Sequence, residues 1–176
     1  MTQRNGRNGR SILYHIVLLT KSGKSLPRVK LEEVYRFVGN PKSKSRNRRV
    51  FDSNQIVELP SIVKDIKDWK RDNWGEITPP THVNKTEYGW SFITQGVLYH
   101  KVIRVLSRDF FPDITFKVYF ASQNEEVFGL ITIQEGYWKK EFRSWFDLSL
   151  NNEGKWYMFP EDVWNEPIDI LVKRYR

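Results

Sequence analysis

Between Asp113 and Ile133 apolar and polar residues alternate in two successive runs, a pattern that suits a pair of strands and little else. Ile114, Phe116, Val118 and Phe120 interleave with Thr115, Lys117 and Tyr119, and a polar turn from Ser122 to Glu125 leads into Glu126 to Ile133. A period of two sends alternate side chains to opposite faces, so slipping the register by one residue would move the apolar set into water. The segment therefore predicts an antiparallel hairpin. Ser11 to Thr20 (Ser-Ile-Leu-Tyr-His-Ile-Val-Leu-Leu-Thr) is apolar and β-prone, and predicts a strand with both faces largely buried.

Helical spacing appears between these runs. Pro27 stands where a helix can begin, and Leu31, Val34, Tyr35 and Val38 recur at helical intervals until Gly39-Asn40-Pro41. Pro60-Ser61 is expected to open a second helix, with Ile62, Ile66 and Trp69 at i, i+4, i+7. Val97 to Phe110 places Leu98, Val102, Val105, Leu106 and Phe110 on one face and Lys101, Arg104 and Arg108 on another, the clearest amphipathic pattern in the chain. Glu87 to Thr94 alternates around Tyr88, Trp90 and Phe92 and reads as a half-buried strand.

Beyond Gly136, Tyr137 to Leu150 reads as extended, Asn151 to Gly154 as a turn, and Ile168 to Val172 as an edge strand. This order of elements predicts an α+β protein, with helices laid on one face of an antiparallel sheet that further C-terminal strands extend. The 176 residues fit a single domain over 11–176, preceded by a flexible basic tail over 1–10 that contains Arg4, Arg7 and Arg10. Seven Trp, eight Tyr and eleven Phe supply a large core.

Several words are spaced through this framework. Phe51-Asp52-Ser53-Asn54-Gln55-Ile56-Val57-Glu58-Leu59-Pro60 is followed by Asp68-Trp69, Asn73-Trp74-Gly75, Trp90-Ser91-Phe92-Ile93-Thr94 and Phe111-Pro112-Asp113-Ile114-Thr115-Phe116. In order and spacing they resemble the YubB-type ferredoxin-like proteins of plasmids and bacteriophages, over roughly Ser11 to Gly136. The chain departs from that pattern at Tyr14-His15, Glu76-Ile77-Thr78 and Gln95-Gly96. The resemblance implies a ferredoxin-like sheet and a mobile-element origin. It brings no catalytic residues with it.

The net charge of +8 favours polyanionic partners, nucleic acid or an acidic host protein. Lys42, Lys44, Arg46, Arg48 and Arg49 crowd a stretch at 41–50 that reads as a solvated basic loop, and each can neutralise a phosphate. Lys101, Arg104 and Arg108, at i, i+3, i+7, form a second cationic stripe that could track a phosphate backbone or be an ordinary solvated face. Trp138, Trp145, Trp156 and Trp164 crowd the C-terminal region and read as a partner surface, whereas Trp69 and Trp90 lie on apolar periodic faces and read as core.

Catalytic patterns are missing from the chain. With no Cys, thiolate zinc sites and cysteine nucleophiles are excluded, and His15, His82 and His100 lack metal-ligand spacing. Asp113 and Glu126 are placed like the acidic pair of a restriction-type nuclease, but Phe128 stands where that chemistry needs Lys. Lys21-Ser22-Gly23-Lys24-Ser25 contains Gly-Lys-Ser, yet Leu18 occupies the position of the first Walker glycine. No apolar run approaches the roughly 20 residues of a membrane span. The expectation is a non-enzymatic, cofactor-free, cytoplasmic accessory protein of a bacterial host cell that binds nucleic acid through its basic loop and tail. The alternative is a protein-binding inhibitor of a host defence or metabolic enzyme.

Overall fold

β1, Ser11–Thr20, has a neighbour on each side and apolar residues on both faces. In the computed structural model, which describes residues 11–75, 79–95, 100–122 and 127–144, it occupies the interior of a six-stranded antiparallel sheet. The other strands are β2 (Thr81–Lys85), β3 (Gly89–Gln95), β4 (Ile114–Ser122), β5 (Val127–Gln134) and β6 (Tyr137–Ser144), in the order β2-β3-β1-β4-β5-β6. The predicted β4–β5 hairpin is present, with Val118 opposite Ile131 and Phe116 opposite Ile133. The expected tail over 1–10, the turn at 151–154 and the strand at 168–172 lie outside the described residues.

Two connections carry the helices. From β1 to β2 the chain forms α1 (Arg28–Val38), α2 (Arg46–Val50), a 3₁₀ turn at Ser53–Gln55 and α3 (Ile66–Asn73); from β3 to β4 it forms α4 (Lys101–Val105), which continues as a π-helical turn over Leu106–Phe110. Leu31, Val34, Tyr35 and Val38 of α1, with Val102, Ile103 and Leu106, meet Ile12, Tyr14, Ile16 and Leu18 of β1 in one core. Even-numbered residues of β3 and β4 join them from the same face, among them Trp90, Phe92, Phe116 and Phe120.

Close approach decides one residue here. A Cβ on Gly89 would stand 2.1 Å from the Ile16 carbonyl oxygen, a backbone atom that cannot swing aside. The Tyr35 hydroxyl shares its one proton between the carbonyl oxygens of Thr86 and Gly89, at 2.8 and 2.9 Å, joining α1 to the β2–β3 turn. Burial first, then the nearby Glu32 charge, hold this phenol well above the usual tyrosine range. A group whose proton is bound more tightly in the folded state contributes fully below its unfolded pKa and loses that contribution as pH rises. Stability is therefore expected to fall above about pH 10 more steeply in the parent than in Tyr35→Phe, measured as urea midpoints against pH.

Two sequence expectations are corrected. The helix expected from Pro60-Ser61 begins later, at Ile66, because the Asp65 carboxylate caps it by accepting from the backbone N–H groups of Lys67 and Asp68 at 2.9 and 3.0 Å. Ile62 is left outside the helix and exposed, and Trp69 and Trp74 carry the core contact, edge to face at 5.5 Å. The helix expected over 97–110 is described only from Lys101, and its second half widens into the π turn. β2 is an additional strand with a single buried residue, Val83.

Candidate nucleic-acid interface

Residues 40–52 make an excursion whose two ends are bonded together. Asp52 N–H donates to the Val38 carbonyl and Asn40 N–H to the Arg48 carbonyl, both at 3.0 Å. Beneath these, the buried Asp52 carboxylate accepts from Asn40 Nδ2 at 3.0 Å, from Arg48 Nε at 3.1 Å and from the Asn54 backbone N–H at 3.1 Å. A second Arg48 guanidinium nitrogen lies 3.0 Å from the same Asp52 oxygen, Oδ2, and completes the ion pair. Phe51 anchors the excursion from below, 2 % exposed and edge-on to Trp90 at 5.3 Å.

The excursion is thus not the wholly irregular loop expected from its composition. Residues 46–50 form α2, which lies on the sheet's edge strand, and Asn47 Oδ1 accepts the Val83 N–H at 3.3 Å. That bond also covers part of an edge where backbone donors would otherwise invite pairing with another chain. On this base Lys42, Lys44, Arg46 and Arg49 are exposed, and none has an ion-pair partner among the described residues. Arg48 is the exception among the five predicted contacts, since its guanidinium is committed to Asp52. Lys85, two residues along β2 from Val83, stands over the Tyr35 ring at 4.7 Å and was not among the cations singled out from sequence. A lone lysine in an unrecognised strand carries no signal.

Asp52 holds the geometry of this cationic surface. In Asp52→Asn one acceptor oxygen becomes an NH₂ group that faces either the Asn54 N–H or the donors of Asn40 and Arg48, and the charge that pairs Arg48 is lost, so stability is expected to drop by about 1–3 kcal/mol. Chemical denaturation of the single variant measures this.

The second predicted stripe is not a free cationic face. Lys101 Nζ donates to the Asp72 and Arg71 carbonyls at 2.8 and 3.4 Å, closing the C-terminal end of α3. Arg104 Nε donates to the Gly136 carbonyl at 3.1 Å, and its guanidinium lies 5.9 Å from the Trp138 ring centre. Arg108 grips its neighbour Asp109 with two bonds of 2.6 and 2.8 Å, a contact that holds the Asp109 carboxyl below the usual carboxylate range. Residues spaced for one helical face here make three intramolecular contacts instead. Those of Lys101 and Arg104 join α4 to α3 and to the β5–β6 hairpin, whose two-residue turn has positive φ at both Glu135 and Gly136, while that of Arg108 stays local.

Of the four C-terminal tryptophans proposed as a contact surface, Trp138 is 41 % exposed beside His100 at 5.1 Å. Trp145, Trp156 and Trp164 lie outside the described residues. Trp90 is fully buried, as expected, and Trp69 is partly buried against the core. Asp113 forms an ion pair with Lys30 at 3.7 Å, and Glu126 lies outside the described residues. Among the described residues no three His, Asp or Glu side chains gather closely enough to hold a metal ion, and no helix is long and apolar enough to cross a membrane.

These features define an α+β protein with one six-stranded antiparallel sheet, helices on one face and a cationic excursion beside the sheet's edge. No family model, curated protein or solved structure matches the chain.

Proposed function

We propose that this is a ferredoxin-like, non-enzymatic accessory protein of a bacteriophage or other mobile element, acting in the cytoplasm of a bacterial host by binding nucleic acid. The observation that carries the reading is the set Lys42, Lys44, Arg46 and Arg49, exposed without ion-pair partners among the described residues on an excursion whose ends are bonded together. Cations held in place lose less freedom on meeting a phosphate backbone, and each contact releases condensed counterions. The order β2-β3-β1-β4, with a helical crossover on either side of the β2–β3 pair, supports the ferredoxin-like reading. Tyr119 and His15, which could offer rings to bases on the other sheet face, are 2 % and 6 % exposed. Contact therefore falls on phosphates rather than on base edges, with little sequence preference.

A salt titration of binding to short single-stranded and duplex DNA and RNA tests this. Affinity should fall steeply with ionic strength on every strand type that binds. An affinity unchanged by salt, or no binding at low salt, would sink the proposal.

A second reading, an inhibitor that docks on a host protein, is favoured by the apolar residues left in water at Ile62, Ile66 and Tyr137, 90 %, 51 % and 81 % exposed. Replacing the loop cations by Ser separates the two. Host-protein capture that survives this change, with no nucleic-acid signal before it, supports the inhibitor.

A further inference from the structure

β2 is built around an irregularity. Thr81 pairs with Ile93 and Asn84 with Ser91, so two residues of β2, His82 and Val83, stand against one residue of β3, Phe92. The result is a β-bulge, which re-aims side chains at a sheet edge. Val83 turns into the core at 4 % exposure, and His82 is left exposed with a φ of 52°. A positive φ at a bulge suits glycine, and any other side chain held there stores strain. Glu135, the other non-glycine residue with positive φ among the described residues, sits in a two-residue hairpin turn that calls for it. At position 82 glycine would close the same bulge without strain.

What the His82 side chain gains therefore lies outside the fold. Its Nδ1 stands 3.3 Å from Thr81 Oγ1, and its Nε2 has no hydrogen-bond partner among the described residues. Val83, the next residue, donates its N–H to Asn47 of α2, so His82 and Arg46 flank a single hydrogen bond between strand and excursion. Lys85, further along β2, is exposed, and its ammonium is held 4.7 Å from the Tyr35 ring centre. It has no ion-pair partner among the described residues. Tyr35 also meets the excursion through its backbone. A Cβ on Gly39 would stand 2.6 Å from the Arg49 carbonyl oxygen and 3.1 Å from that of Tyr35, so glycine at 39 lets the last turn of α1 and the end of α2 close together. β2 thus runs beside the cationic excursion and brings it a ring nitrogen and an ammonium group.

We propose that His82 and Lys85 are further phosphate contacts of the nucleic-acid surface, and that the bulge in β2 serves to present His82 beside Arg46. His82 Nε2 donates to a phosphate oxygen, and Lys85 neutralises a second phosphate. Both assignments rest on the reading of the excursion as a phosphate-binding surface and extend that surface onto the edge strand.

The test measures binding of a labelled short DNA duplex, with single-stranded RNA of the same length as a second probe, alongside urea denaturation of each variant. His82→Gly should unfold at or above the parent midpoint, since strain is relieved, yet bind about three- to tenfold more weakly, the scale of one net hydrogen bond. Lys85→Gln should flatten the dependence of log affinity on log salt by about 0.9 on the duplex, while Lys85→Arg, which keeps the charge, should keep the parent slope. Parent affinity in His82→Gly overturns the assignment of His82, and a parent slope in Lys85→Gln overturns that of Lys85. A midpoint for His82→Gly well below the parent's also counts against His82, because the side chain would then serve the fold. If the parent binds neither probe, the nucleic-acid reading itself fails. If it binds, and replacing Lys42, Lys44, Arg46 and Arg49 by Ser weakens it while the β2 variants do not, only the extension onto β2 fails.

Discussion

Trp90→Ala is expected to lower unfolding stability by about 3–5 kcal/mol, measured by urea denaturation. Trp90 is fully buried on β3 at the point where three parts of the molecule meet. The Tyr35 ring of α1 stands edge-on at 5.3 Å, the Phe51 ring below the cationic excursion also at 5.3 Å, and Ile16 of β1 lies directly opposite on the neighbouring strand. Truncation removes the transfer energy of the indole and leaves a cavity that Tyr35 cannot fill, because its hydroxyl is bonded to Thr86 and Gly89. Trp90→Phe keeps a ring in place and should lose less than half as much. A loss below about 1 kcal/mol in Trp90→Ala would contradict the placement of Trp90 at this junction.

The second large effect concerns binding. Replacing Lys42, Lys44, Arg46 and Arg49 together by Ser should flatten the dependence of log affinity on log salt by about 0.9 for each duplex phosphate no longer neutralised, or about 3.6 if all four cations engage. Stability should change little, since surface substitutions away from caps and buried partners usually stay within about 0.5 kcal/mol. Arg48 is left in place because it holds the buried Asp52. Arg48→Ser alone should show the opposite pattern, a drop in stability with a salt slope close to the parent's. If the fourfold variant unfolds at the parent midpoint and binds nucleic acid with an unchanged slope, the excursion is not the phosphate-binding surface.

Legibility differed between elements for identifiable reasons. β1, α1 and the β4–β5 hairpin lie within a residue or two of their sequence positions, because each has a long periodic set of apolar residues that only one conformation buries. β2 gave no such signal. It is an edge strand with one buried residue, a bulge between Thr81 and Asn84, and His82 at positive φ, so it forms because β3 offers it a partner. In the helix expected after Pro60, a local cap at Asp65 outweighed apolar spacing.

The candidate site divides in the same way. Sequence by itself determined that cations cluster at 41–50 and that the words from Phe51 onward carry aromatic anchors, since composition and periodicity are properties of the chain. Whether a given cation is available was decided only by the tertiary structure. Lys101, Arg104 and Arg108 share helical spacing, yet the α3 carbonyls, the Gly136 carbonyl and Asp109 engage them one by one. In the excursion Asp52 takes Arg48 and leaves four cations facing water. A charge is neutralised by whatever lies within a few ångströms of it, and for Lys101 and Arg104 those neighbours are about thirty residues away along the chain.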